Sequence, residues 1–446
     1  QLSLPLCGCS TLPMRSPASS TLDLRAYISN YSGYTRLRRL QFIAAHEPAL
    51  RTEALQMAID LAKQGINTGL YLELCATEGC PLPRDDEWVE AVDKKTSSML
   101  EKLEADLNSH KTSLDKESIR MAHTELGDFH RNRGDFAAAL KCYVRTRDYC
   151  ATSRHTIRMC LNVIQVSIQM GNYAHVSNYV TKAESLPDVS DQVLFAQLRV
   201  AAGLAALDVK NFKVAARNFV DVSVDLGTSF SDICSVADVA LYGGLCALAA
   251  FERADLASKV VGNASFRSLL ELHPEVRDLV NDFFSSRYAS CLSHLDKLKP
   301  DLLIDIHLRP HVAQLYADIR SKAMIQYFLP FVSVDMQRMA AAFNVDVVEL
   351  EKELAALIMA GAIPARIDSQ SKVLYARHAD QRHATFVKAL DMGEAYMWNT
   401  KALLLRINLL RADFTVKGSG DSFGPSKSSR QDRPDGRSVG YAGAGL

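Results

Sequence analysis

No charge of one sign dominates this chain. Lys plus Arg and Asp plus Glu each total 51 among 446 residues, so the formal net charge is zero. No long-range field therefore draws the molecule to nucleic acid or to an anionic membrane. Long hydrophobic runs are missing too: no window approaches the roughly eighteen apolar residues that read as a membrane span, and no membrane partner is expected. The first twenty residues hold Pro5, Pro13 and Pro17 with no basic stretch leading into an apolar run, so no cleavable signal is read there. The chain starts at Gln1 without an initiator Met and is taken as a piece of a longer protein. Its ten cysteines, at 7, 9, 75, 80, 142, 150, 160, 234, 246 and 291, contain no CxxC pair. They also lack the dense spacing of a secreted disulfide scaffold, and read as reduced thiols of a protein of cytoplasm and nucleus. Cys7 with Cys9 and Cys75 with Cys80 are the tightest pairs, and neither has a second pair at zinc-finger distance.

Catalytic signatures are absent as well. His307 and His311 stand four apart, as two ligands on one helix face would, but Pro310 lies between them and no HExxH motif surrounds them. No two histidines are separated by a single residue, so the H-x-H core of an MPN-type isopeptidase is missing. GxSxG, P-loop and dinucleotide-binding fingerprints do not occur in the folded part. The expectation is no catalytic residue, no metal, no cofactor and no small-molecule substrate: the chain is not read as an enzyme.

What is present is helix. From Leu22 to about Gln326 apolar residues recur with helical period and no alternating run is long enough to build a sheet. Within Arg51 to Lys63 the apolar positions Ala54, Leu55, Ala58, Ile59 and Ala62 face one way, and Arg51, Glu53, Gln56 and Asp60 the other. Between Met121 and Ala151 the residues Leu126, Gly127, Gly134, Phe136, Ala139 and Tyr143 take the spacing of a tetratricopeptide unit, in which small residues let two antiparallel helices touch. Weaker echoes follow, and the aromatic marker recurs at Phe136, Tyr173 and Phe212, spacings of 37 and 39. That drift predicts an irregular helical-repeat solenoid, each helix pair burying its second face on a neighbour. A plain helical bundle is the other arrangement open to this pattern.

The pattern changes after Val312. A helix over Val312 to Phe328 is stopped by Pro330, and Ser333 is read as the cap of a helix to about Phe343, with Asn344 in the turn. Asp346 and Glu349 have capping-box spacing ahead of a helix whose inner face is Val347, Leu350, Leu354, Leu357 and Ile358. Gly361 and Pro364 end it, and short strands over Ala365 to Asp368 and Lys372 to Tyr375 flank a polar turn. That order of elements predicts a winged helix. The second helix holds four acids, Asp346, Glu349, Glu351 and Glu353, against Lys352 alone, so reading of DNA is not expected of it. In the N-terminal cluster Arg36, Arg38 and Arg39, Leu37 and Leu40 mark a packed helix with a solvated or protein-facing edge. From Asp380 to Phe414 runs a last helix with a seam of Phe386, Leu390, Met397, Leu404, Ile407 and Phe414 for partner helices. From Lys417 on, seven glycines and six serines leave few apolar anchors.

The predicted organisation is mostly α: a flexible segment at 1–21, tetratricopeptide-like repeats at 22–310, a winged helix at 311–379, a bundle helix at 380–416 and a disordered tail at 417–446. Irregular repeats leading into a winged helix resemble the PCI-domain family, which occurs in the proteasome lid, the COP9 signalosome and a translation initiation factor. The blocks starting at Tyr27, Arg39, Tyr242, Arg287, Ile325, Met339 and Ala365 are more specifically similar to the subunit 1 branch of the signalosome. The resemblance spans about Leu22 to Phe414. It implies a non-catalytic scaffold in a complex that removes NEDD8 from cullins of cullin-RING ubiquitin ligases, with the zinc chemistry in a different, MPN-type subunit. It also implies that winged helices pair side by side, that C-terminal helices gather in one bundle, and that the repeat arm touches the ligase. Partner contacts are therefore expected at the wing, Lys372, Val373, Leu374 and Tyr375, as an unpaired sheet edge, and along the seam of the last helix. A proteasome-lid subunit and a winged-helix nucleic-acid binder are the alternative readings.

Overall fold

The computed structural model describes residues 23–77, 79, 83–186, 191–377 and 381–412. The expected flexible segment at 1–21, the tail at 417–446, and Cys7, Cys9, Cys80 and Phe414 lie outside the described residues. Four helices come first: α1 (Leu24–Ser29), α2 (Gly33–His46), α3 (Arg51–Gln64) and α4 (Thr68–Ala76). The five apolar positions read from α3 are all buried, and with Leu24, Ile28, Leu40, Leu70 and Leu74 they form a core of their own. Next comes the long α5 (Asp86–Ser113), in which only Thr96 and Leu107 are buried.

Three helical hairpins follow on one plan: α6 (Lys116–Arg133) with α7 (Phe136–Arg145), α8 (Ser153–Gln169) with α9 (Tyr173–Glu184), and α10 (Gln192–Asp208) with α11 (Phe212–Val220). Each turn passes through the left-handed region, at Gly134 (φ 90°), Gly171 (φ 75°) and Lys210 (φ 62°). One residue later Asp135, Asn172 and Asn211 cap the second helix by accepting the amide three positions on. The aromatic marker then takes the first helical position. Between paired helices the glycines do what the sequence pattern predicts: a Cβ at Gly127 would come within 2.6 Å of the Tyr143 ring, and one at Gly203 within 2.6 Å of Phe219. The left-handed turn and the aromatic at the first helical position recur at Ser286 (φ 61°) and Tyr288, without a side-chain cap; this echo escapes the spacing pattern because two irregular units intervene.

Those units are α12 (Val236–Ala250), the short α13 (Arg253–Asp255) running into a π-helical turn, Leu256–Val261, and α14 (Ala264–Leu270) with α15 (Pro274–Phe284). Then come α16 (Tyr288–Ile304) and α17 (Val312–Phe328). The winged helix is built of β1 (Ser333–Asp335), α18 (Met336–Phe343), α19 (Val347–Met359), β2 (Ala365–Asp368) and β3 (Val373–Ala376). Tyr288 stacks on Phe343 at 5.3 Å while Tyr327 meets Phe343 edge-on at 5.6 Å, so α16, α17 and α18 share one aromatic joint. One apolar core runs without a break from Ala139 to Leu374. The solenoid therefore continues into the winged helix. Residues through Ala376 form one compact unit, and α20 (Gln381–Arg411) belongs to a second.

Two local expectations are corrected. Ser333 is not a helix cap: it pairs with Tyr375 as part of β1, and Asp335 caps α18 by accepting from Gln337 N at 2.9 Å. Arg39 is not on an edge: it is 1% exposed, at the centre of a polar network.

Candidate protein-docking site

The sheet has the order β1-β3-β2, with β3 antiparallel to both neighbours. Lys372 to Tyr375 therefore does not supply a free edge. Val373, Leu374 and Tyr375 are paired on both sides, Leu374 is fully buried, and Lys372 sits in the turn (φ 55°) with its ammonium 2.8 Å from Glu351. The strand order escapes the sequence because β1, Ser-Val-Asp, is too short to carry alternation. The outer strands of this sheet are β1 and β2. Around β1 the side chains of Leu329, Phe331 and Val332 are 79%, 48% and 63% exposed, and Tyr375 opposite Ser333 is exposed too. An outer strand carrying an apolar fringe presents both parts of a strand-addition site: backbone groups for affinity, side chains for selection.

The second winged-helix helix, α19, is less acidic outside than its composition suggests. Asp346 caps it by accepting from Val347 N at 2.9 Å, Glu351 is held by Lys372 and by the Ser369 hydroxyl, and Glu353 lies 2.9 Å from Arg320. The hydrogen bonds from Lys372 and Ser369 hold the Glu351 carboxyl below its usual range. What the helix shows to solvent is Val348, Glu349, Lys352, Ala356 and Met359, a surface of mixed character with one base. A phosphate backbone calls for several bases on such a face.

Phe386, Leu390, Met397, Leu404 and Ile407 are exposed along one stripe of α20. The seam is not the whole pattern: Met392, Tyr396, Leu403 and Leu410 form a second exposed stripe and Trp398, Leu405 and Leu409 a third. A helix that exposes apolar side chains on three faces, with Lys388, Asp391, Glu394, Lys401 and Arg406 between them, offers surface to more than one partner helix.

Sequence reasoning missed one site altogether. The Arg39 guanidinium donates to Asp305 at 2.8 Å and to Asp238 at 3.2 Å, and its group stacks on the Tyr31 ring at 4.0 Å. The Tyr31 hydroxyl donates to Asp238 at 2.8 Å, and the Tyr242 hydroxyl to Asp305 at 2.7 Å. Backbone amides finish the set: Ser235 N serves Asp238 at 3.1 Å, and His307 N and Leu308 N serve Asp305 at 2.8 and 3.0 Å. Burial pushes the Asp238 carboxyl up, and Arg39 offsets only part of that. Burial acts the same way on Asp305, but the guanidinium and its additional donors outweigh it and hold the group low. The only legible signal was that Tyr27, Tyr31, Arg39 and Tyr242 fall within the blocks of family resemblance; nothing singled out Asp238 or Asp305. The neighbouring His307 is half-buried and its pKa is lowered to about 4, chiefly by desolvation. Among the described residues no group of three or more His, Cys, Asp or Glu side chains is arranged to hold a metal ion.

Helical hairpins that run on into a winged helix define a PCI-type repeat protein, and two family models match accordingly: 26S proteasome subunit RPN7 over residues 85–259 and PCI domain over 293–378. The chain is 51% identical over 405 residues to COP9 signalosome complex subunit 1 of Arabidopsis thaliana, covering 89% of this chain and 92% of the relative. It is 41% identical to subunit 1b of Drosophila melanogaster (89% and 87% covered) and 34% identical to subunit 1 of Emericella nidulans (93% and 88% covered). The chain belongs to the COP9 signalosome subunit 1 family.

Proposed function

We propose that this chain is a non-catalytic scaffold of the COP9 signalosome, joined to the other subunits through α20 and the winged helix. In this reading it supports removal of NEDD8 from cullins by a different, MPN-type subunit, and contacts cullin-RING ligases with its repeat arm, in cytoplasm and nucleus. The observation that carries the reading is α20, 31 residues long with exposed apolar side chains in three stripes. Such a surface is stable in water only when other helices cover it. Leu329, Phe331 and Val332 beside β1 supply a second contact, to a neighbouring winged helix, and this outer strand replaces Lys372 to Tyr375 as the assigned edge. Phe414 keeps its place in the seam by sequence alone.

The RPN7 match over residues 85–259 favours a second reading, a proteasome-lid subunit of the same architecture. Purification of the tagged chain with its bound partners separates the two. Stoichiometric co-isolation of an MPN deneddylase supports the signalosome, and co-isolation of proteasome ATPases overturns it. A nucleic-acid reading predicts salt-sensitive, sub-micromolar binding lost on neutralising Lys352 and Arg366; the scaffold reading predicts none. The isolated chain is expected to leave NEDD8-cullin conjugates intact, and zinc-dependent cleavage by it alone overturns the non-catalytic assignment.

A further inference from the structure

The joint between α1–α4 and the rest of the compact unit differs in composition from the cores on either side. Among the described residues, the N-terminal core draws one buried apolar residue, Ile304, from later in the chain. Across the joint the apolar contacts are few, Ile304 and the Tyr34–Phe136 ring pair among them, and most of the specific contacts are polar. Arg39 reaches Asp238 and Asp305, and the Tyr31 hydroxyl reaches Asp238. Ser32 N donates to Ser231 O at 3.1 Å, Ser32 Oγ lies 2.8 Å from Ser231 Oγ, and Ser32 Oγ donates to Asp232 at 2.5 Å. The Thr35 hydroxyl donates to the Asp232 carbonyl, and Arg38 to the Gln169 carbonyl.

Nor is the joint close-packed. A cavity of about 50 Å³ remains between Tyr34, Thr35 and Arg38 on one side and Gln169, Tyr173 and His307 on the other. Gln169 is 7% exposed and its Oε1 has no protein partner. The covalent link is α5, and the N-cap of α4, Asn67, also lies against the Gly134 turn. Trp88 and Val89 in the first turn of α5 pack on the N-terminal core, while Leu100, Leu103 and Leu107 near its other end join a small separate cluster with α6. Between these ends the helix is largely exposed. The Arg39 contact to Asp238 thus closes a loop of 199 residues.

A body with its own apolar core, held mainly by polar contacts around a cavity, separates more readily than either core unfolds, because water replaces the hydrogen bonds lost. We propose that α1–α4 are an opening module, latched where Arg39 closes on Asp238 and Asp305, which swings on α5 as one unit while the repeats and winged helix stay folded. Opening uncovers Tyr34 together with the ring of Phe136 that it meets edge-on at 4.9 Å. It also removes the guanidinium from two carboxylates that water then solvates.

Hydrogen exchange on the full-length chain tests this, with Arg39→Met as one variant and Ser32→Cys with Ser231→Cys as another. The facing hydroxyl oxygens are close enough for the two thiols to form a disulfide. In the unaltered chain the amides of α1–α4 are expected to share one exchange rate, about tenfold or more above α10–α12. The oxidised crosslink is expected to slow them by about tenfold and reductant to restore them; Arg39→Met accelerates them without moving α10–α12. The proposal is overturned if α1–α4 exchange no faster than α10–α12, if the oxidised crosslink leaves their rates unchanged, or if the Arg39→Met acceleration spreads through α10–α12. Should Arg39→Met fail to fold, the crosslinked chain decides alone.

Discussion

Arg39 brings a full charge into a place where water does not reach, and Asp238 and Asp305 with the hydroxyls of Tyr27 and Tyr242 and the ring of Tyr31 make that tolerable. Removing one member of such a buried set leaves uncompensated charge, so Arg39→Ala is expected to cost about 3–5 kcal/mol in a denaturant titration. Arg39→Lys is expected to lose a large part of that as well, since a point charge cannot span Asp238 and Asp305 as a planar fork does. His307 adds a pH dependence. Its folded pKa, near 4, lies below the usual 6.5 of histidine, so the neutral ring is favoured in the fold. Below about pH 6.5 the unfolded chain takes up the proton first, and the stabilising contribution is lost as pH falls toward 4. The melting temperature should therefore drop across that window, and His307→Gln should flatten the drop. At Gly203 an added methyl would meet the Phe219 ring; Gly203→Ala is expected to cost about 1–3 kcal/mol through overpacking, measured by the same titration. The small-residue rule of the repeats made Gly127 legible in the sequence. The charge set was not, because Asp238 and Asp305 stand 199 and 266 residues from Arg39 and local periodicity carries no trace of them.

At the scale of elements, the strongly patterned ones were readable. Helix α17 spans the expected Val312 to Phe328, Asn344 takes the left-handed turn (φ 51°), and β2 spans Ala365 to Asp368 as read from the sequence. The miss was a three-residue strand, and it had a large effect: without β1, Lys372 to Tyr375 looks like an edge, and with β1 it lies in the middle. Composition likewise overstated the acidity of α19, because neutralising partners such as Arg320 come from another helix. Replacing Phe331 and Val332 by Asp is expected to leave the circular dichroism of the chain unchanged while weakening side-by-side docking of winged helices at least about tenfold, read by titration with a neighbouring subunit. The same change at Lys372 should have little effect on docking, since that residue is turned toward Glu351.

For the molecule as a whole, one core links the repeats to the winged helix and a separate long helix carries its apolar surface uncovered. A repeat protein that buries its own faces has no need of such a helix for stability; its value is in assembly. This division explains why the family was legible from the sequence while the working surfaces were not. The resemblance rests on residues that pack or pair, such as Tyr242 and Gly243, whereas docking surfaces are left unspecified by the chain that carries them. The central claim is that α20 joins this subunit to its complex. Its most direct test is size exclusion of cell extracts containing the chain with Leu404→Asp and Ile407→Asp. The expected result is that the variant leaves the high-mass fraction and elutes as a folded single chain with unchanged helical content; continued co-migration with the complex contradicts the account.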